Sequence, residues 1–241
     1  MTSAPTIHVI PFGQCREHVS EALPELGQLG CKLVDPSALR ASQTAEGEPA
    51  GDAPRLSIAV LDDRDEARLG DVERVAAIAS TPFVVFYVRD ADRASQARAW
   101  RLAERWRACV IEVESTPVAI AALRCLAEPI TVPGLVAFDF AAVADAISAP
   151  SAGTCHTVTY GADHGTWREP ASWRPALADA ERVLLSIRCA APTTLSEFND
   201  ICAKLTSLAP RATFELSCNV VSDGRPAITV IGLATATRNG G

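Results

Sequence analysis

Side chains able to do chemistry gather at a few places along the chain. Asp62, Asp63, Asp65 and Glu66 crowd around Arg64 in the run LDDRDEARLG, behind an apolar stretch. Carboxylates this dense either ligate a hard cation or form a solvated helix start, where negative charge favours the positive end of the helix dipole. The helix start needs no convergence of side chains and is the reading adopted. A second place is Gly13-Gln14-Cys15, which follows IHVIPF. A glycine behind a strand lets backbone N–H groups approach a phosphate, yet one glycine followed by Gln14, Cys15 and Arg16 leaves side chains in the way. Asp139 follows the Pro133-Gly134 break, where a carboxylate can serve as a general acid or base or can cap the next helix; capping is the simpler use. Asp35, in CKLVDPSALRAS, is the other candidate acid or base. Cys155-His156 is the only close thiol–imidazole pair, and neighbours in a strand point to opposite faces, which argues against a zinc or catalytic-thiol site. His8, His18 and His164 have no ligand spacing either.

The elements that must carry these residues alternate apolar runs with helical ones. IHVIPFG, CKLVDPSALRAS, RLSIAVLDD and STPFVVFYVRD read as four strands with helical segments between them, the mark of a doubly wound α/β sheet. Residues at the carboxyl ends of such strands face the usual ligand crevice, so Gly13 and the Asp62–Glu66 run are expected there. RDADRASQARAWRLAERWRA, from Arg89, alternates arginine with alanine, Trp100 and Trp106, and reads as an amphipathic surface helix rather than a membrane-docking one. QTAEGEPAGDAP, Gln43 to Pro54, reads as an exposed loop.

In the second half, TCHTVTYG reads as a strand, Ala171 to Leu177 as a short helix and ADAERVLLSIRC as a second strand. TTLSEFNDICAKLTSLAP is a helix with Leu195, Phe198, Ile201, Cys202 and Leu205 on one face and Thr194 as its cap. ATFELSCNVV and PAITVIGLAT are expected to close the fold as an antiparallel pair around a Ser222-Asp223-Gly224 hairpin turn. ADHGTWREPASWRP reads as a loop whose Trp167 and Trp173 either form an exposed docking surface or pack back onto the sheet.

Composition limits the function classes. With 48% hydrophobic residues and a net charge of −7, the chain can bury one or two cores and has no basic stripe for nucleic acid. No apolar run reaches the roughly 18 to 20 residues needed to cross a bilayer, and MTSAPTIHVIPFG lacks the pattern of a secretion signal. The eight cysteines form no C-x-x-C and fall mostly in apolar runs, which suits reduced thiols in the cytoplasm.

The run from Ile130 to Ile147, ITVPGLVAFDFAAVADAI, resembles the loop and helix that join the two domains of the FtsZ/tubulin superfamily, where Pro-Gly-Leu-(Met/Val)-Asn-x-Asp-Phe-x-Asp-Val is typical. The elements after it follow the order of the FtsZ C-terminal domain. The resemblance implies a degenerate nucleotide-binding domain over residues 1–128 and an FtsZ-like α+β domain over residues 129–241. It also implies a GTP site that these residues do not rebuild. Where the family's loop after the third strand carries Gly-Gly-Gly-Thr-Gly-(Thr/Ser)-Gly, this chain has LDDRDEARLGDVERV. Gly13, Gln14, Cys15, Asp62, Asp63 and Arg64 thus mark vestigial nucleotide-loop positions, and Asp139 a vestigial interdomain-loop position. Of the family's three acidic or amide positions only Asp139 is kept, with Ala137 and Ala142 at the others, and the helix between the domains is cut to Thr116–Glu128. The reading is a non-enzymatic protein without a cofactor that associates with itself or with a filament-forming relative, tight GTP binding not being expected. Two alternatives stay open: a GTP-binding filament protein with a rebuilt phosphate loop, and a small-molecule enzyme using the interdomain cleft, with Asp139 or Asp35 as acid or base.

Overall fold

The structure, a computed structural model, describes residues 6–37, 54–79, 81–88, 94–131, 140–148, 150–159, 170–190, 194–221 and 226–235. The strands β1 (Ile7–Pro11), β2 (Cys31–Leu33), β3 (Leu56–Asp62), β4 (Phe83–Val88) and β5 (Cys109–Val113) run parallel. LSIAVLD and FVVFYV are apolar almost throughout because helices cover both faces of a central parallel strand. β6 (Ser151–Thr159) continues parallel to β5, and β9 (Ala227–Thr235), β7 (Arg182–Ala190) and β8 (Thr213–Val221) follow, in the order β2-β1-β3-β4-β5-β6-β9-β7-β8.

The helices are α1 (Cys15–Gln28), α2 (Leu69–Ile78), α3 (Ala94–Trp106), α4 (Thr116–Thr131), α5 (Phe140–Ser148), α6 (Trp173–Leu177) and α7 (Leu195–Leu208). Residues of α1, α4 and α5 cover one face, and their core joins Ile7 and Phe86 of the first strands to Leu184, Ile231 and Leu233 of the last ones. α2 and α3 cover the opposite face over β3 to β5. α6 and α7 pack on β7 to β9 in a third core. Thr194 caps α7 as expected: its Oγ1 accepts the Glu197 N–H at 3.2 Å, while Glu197 Oε2 accepts the Thr194 N–H at 2.6 Å. Such a capping box contributes about 1 kcal/mol.

Two expectations about strands need correction. β5 was not expected, because CVIEV is short, is broken by Glu112 and follows directly on an arginine-rich helix. More consequentially, β8 and β9 do not pair with each other. β9 enters between β6 and β7, antiparallel to both, and β8 pairs parallel to β7 through the α7 crossover. Burial explains the choice, since Ile228, Val230, Ile231 and Leu233 of β9 are all buried and demand neighbours on both sides, whereas β8 exposes Val220 by 53%. The hairpin turn residues Ser222–Gly224 lie outside the described residues.

The tryptophans also sort themselves by packing. Trp106 is buried and Trp100 half-buried under α3, whose Arg105 pairs with Glu73 of α2 at 2.5 Å, so this basic stretch is a structural surface helix. Trp173 packs back onto the sheet and is not part of an exposed surface; Trp167 lies outside the described residues. Among the described residues no helix is long and apolar enough to cross a membrane.

Candidate functional site at the β1 and β3 carboxyl ends

Strand order reverses between β1 and β3, since β2 lies on one side of β1 while β3, β4 and β5 extend the other. The crevice beyond the carboxyl ends of two such strands is where α/β sheets take ligands. Gly13, Gln14 and Cys15 follow β1 here, and Asp62, Asp63 and Arg64 end β3 and begin its loop. The structure therefore brings these six residues together at one switch point. Asp139 lies outside the described residues.

At the centre of this crevice is a carboxylate. Asp65 Oδ2 accepts the backbone N–H of Gln14, the residue that opens α1, at 3.2 Å. Gly13 adopts φ +54°, and a Cβ built on it would lie 1.4 Å from the same Oδ2. Only glycine lets the backbone reach the Asp65 carboxylate this closely, which gives Gly13 its role. The acidic run does start a helix, as expected, through a 3-10 turn at Glu66–Arg68 that leads into α2. Asp65 nevertheless turns its side chain away from its own helix to the amino end of α1, where a negative charge meets the positive end of that helix. Sequence reasoning missed this contact, because the two partners are 51 residues apart and no local pattern links them.

The other residues of the loop are engaged close by. The Asp62 carboxylate accepts the Arg64 N–H at 2.9 Å, an Asx turn, and the Asp63 N–H donates to the Val88 carbonyl at 3.0 Å. Cys15 is buried at the start of α1, and burial pushes its thiol up to about 11, so it is not a nucleophile at neutral pH. Two cavities flank the Asp65 contact. One, of about 320 Å³, is lined by Asp62, Asp63, Arg64 and His18 together with Glu114 and Thr116 behind β5. Glu114 escaped the sequence reading because β5 did, and Thr116 was read only as the start of the following helix. The other, of about 360 Å³, is lined by Arg16, Asp35, Ser37, Arg68 and Asp71.

Asp35 is fully committed in that second cavity. Its Oδ1 accepts from the Ser37 hydroxyl at 2.5 Å and the Ser37 N–H at 2.8 Å, and Oδ2 meets Arg16 at 2.8 Å. The Ser37 hydrogen bonds first, then Arg16, hold its carboxyl down at about 2. A depressed folded-state value means stability that is present above the unfolded value and lost as pH falls through the folded one. Asp35→Asn is expected to abolish a component of acid destabilisation between pH 3.8 and about 2, which denaturant titrations at pH values bracketing that window would measure. The Cys155–His156 pair splits as strand geometry requires: Cys155 enters the core shared with α4, while the His156 ring lies 6.3 Å from that of Trp173 on the other face.

No family model and no curated protein sequence matches the chain. Solved structures do. FtsZ from M. jannaschii, solved as an empty dimer, superposes with a TM-score of 0.68 at 15% identity over 97% of this chain and 89% of that one. CetZ2 from Haloferax volcanii, solved as a GTPγS-bound protofilament, gives 0.56 at 14% identity over 97% and 95% of the two chains. TubZ from Bacillus thuringiensis serovar israelensis, in GDP-form protofilaments, gives 0.57 at 9% identity over 95% and 86%. The strand order, the switch-point crevice and these superpositions agree: the chain has the FtsZ/tubulin fold.

Proposed function

We propose that this chain is an FtsZ/tubulin-like assembly or interaction protein that works without a GTPase site. The observation that carries this reading is the Asp65 carboxylate on the Gln14 N–H. A phosphate seated against the amino end of α1 would have to displace that carboxylate, and it would meet Asp62, Asp63 and Glu114 nearby with Arg64 as a partial counter-charge. Each carboxylate–phosphate pair at about 4 Å costs on the order of 1 kcal/mol even in bulk water, and more near a protein surface. These residues do not fit a triphosphate. The sequence adds that Ala137 and Ala142 supply no group able to orient water beside Asp139.

What remains is a fold that the FtsZ, CetZ2 and TubZ structures present as a dimer or as protofilaments. Association with a second copy or with a filament-forming relative, in division-related or other cytoskeletal assembly, is the use that fold favours. The cysteines among the described residues are all free and mostly buried, which suits a reducing cytoplasm. An enzyme built on Asp35 is disfavoured by the three hydrogen bonds that keep this carboxylate ionised. Sedimentation velocity and electron microscopy with GTP, with GDP and with neither would test the reading: assembly should be the same in all three. Polymer that forms with GTP and dissolves as GDP accumulates would overturn it.

A further inference from the structure

Two thiols meet in the third core, under α7. Cys189 of β7 and Cys218 of β8 are each 3% exposed, and their sulfurs lie 3.6 Å apart in an S–H···S hydrogen bond. The strand register decides what such a pair can become. Cys218 stands opposite Ile187 and Cys189 opposite Val220, so the two thiols are diagonal neighbours on one face of adjacent parallel strands. Diagonal residues on neighbouring strands lie about 7–8 Å apart, their Cβ atoms somewhat closer. A disulfide needs Cβ atoms only about 3.5–4.5 Å apart, so closing one here would pull the β7–β8 ladder out of register.

A single ion between the sulfurs has the opposite requirement. Metal–thiolate bonds of about 2.3 Å hold two sulfurs about 4.5 Å apart and their Cβ atoms about 6–7 Å apart, which is the span a diagonal pair already offers. The sulfurs need to separate by only about 1 Å, a side-chain rotation that leaves the backbone ladder in place. Ligand number then chooses the ion. Structural zinc takes four ligands, whereas among the described residues no group of three or more His, Cys, Asp or Glu side chains could hold a metal ion. A pair of thiolates suits a soft ion of low coordination number, and Cu(I) is the one that thiolates select.

From this we infer that Cys189 and Cys218 form a binding site for a cuprous ion. On binding, two S–H bonds break, two S–Cu bonds form and two protons leave to solvent; no electron moves, because the ion enters as Cu(I). Cys202 of α7 packs against the same core and is partly exposed, so it takes the ion from solvent and passes it inward by thiolate exchange. The bound ion ties β8, the last strand of the sheet, to β7 through side chains as well as backbone. Nothing in this assignment depends on whether GTP binds at the β1 and β3 carboxyl ends.

The test is anaerobic titration of the reduced, folded full chain with Cu(I) in competition with the cuprous chelator bicinchoninate. One ion per chain is expected, and added zinc should not displace it. Cys189→Ala and Cys218→Ala should each weaken retention by at least about a hundredfold, beyond the loss caused by removing a group that merely supports a ligand. Cys202→Ala should slow loading and leave the final affinity unchanged. Cys125→Ala, in the core on the other face of the sheet, should change neither. Should an alanine variant lose its near-ultraviolet circular dichroism, X-ray absorption on the unmutated chain decides: two sulfur neighbours support the site, and nitrogen or oxygen neighbours overturn it. Failure of the unmutated chain to retain Cu(I), retention that survives in both variants of the pair, or equal loss in Cys125→Ala would each overturn the assignment. A Cys189–Cys218 disulfide formed by diamide in the folded protein would also overturn it, by showing that the pair closes on itself rather than around an ion.

Discussion

Trp173→Ala is expected to cost about 3–5 kcal/mol of folding stability, read from the shift of the denaturant midpoint at constant slope. Trp173 is 1% exposed and is among the largest fully buried side chains of the described residues. It opens α6, a helix of 5 residues that is too short to persist without tertiary anchoring. Its ring fills the third core with Leu177, Val183, Ile187, Ile228 and Val230, side chains from three separate elements. Truncation leaves a cavity that α6 cannot close, because Leu177 already abuts Gly232 and fixes the helix on the sheet. A loss below about 1 kcal/mol would mean that α6 is not held by this residue.

The second large effect lies at the joint between the sheet's two parts. Gly153→Ala is expected to cost about 3 kcal/mol, at the upper end of the range for overpacking. The added methyl would lie 2.1 Å from the Gly232 carbonyl oxygen and 2.8 Å from Leu233 Cδ2. The first of these atoms is backbone on a strand held on both sides by β6 and β7, so relief requires the β6–β9 register to move. Gly27→Ala provides the contrast. A Cβ there meets nothing within 4 Å, and Gly27 lies in α1, so that change should stabilise by about 0.5–1 kcal/mol through helix propensity. Similar values for the two variants would show that the close approach at β6 and β9 does not constrain the fold.

Local physics was legible in the sequence, and long-range pairing was not. β3 and β4 announced themselves as apolar runs between turn signals, and Thr194 gave α7 a cap that its hydrogen bonds with Glu197 bear out. The alternation of such runs with helices was enough for the α/β class and, with the residues around Asp139, for the FtsZ/tubulin resemblance. The insertion of β9 between β6 and β7 was hidden because a Ser-Asp-Gly turn is a strong local hairpin cue, while partner choice depends on which strand can be buried on both edges. Trp173 illustrates the same limit: proline-rich surroundings suggest a loop, but only the tertiary core shows that the ring has somewhere to go.

The candidate site divides in the same way. Strand ends put Gly13 and Asp62 beside the crevice at the β1 and β3 carboxyl ends, because that position follows from alternation alone. The contact that gives the site its character, Asp65 on the amino end of α1, joins distant residues through a positive-φ glycine, and residue spacing encodes none of it. Glu114 went unseen for a simpler reason. The strand it follows, β5, was missed, and Thr116 was read only as the start of a helix.

Calorimetric titration of the folded protein with GTP and GDP, at millimolar nucleotide in buffer containing magnesium, tests the central claim most directly. With the Asp65 carboxylate on the Gln14 N–H and carboxylates around it, no binding heat is expected for either nucleotide. Micromolar binding of GTP would contradict the account, because it would require Asp65 to leave α1 and the acidic loop to serve as a rebuilt phosphate site.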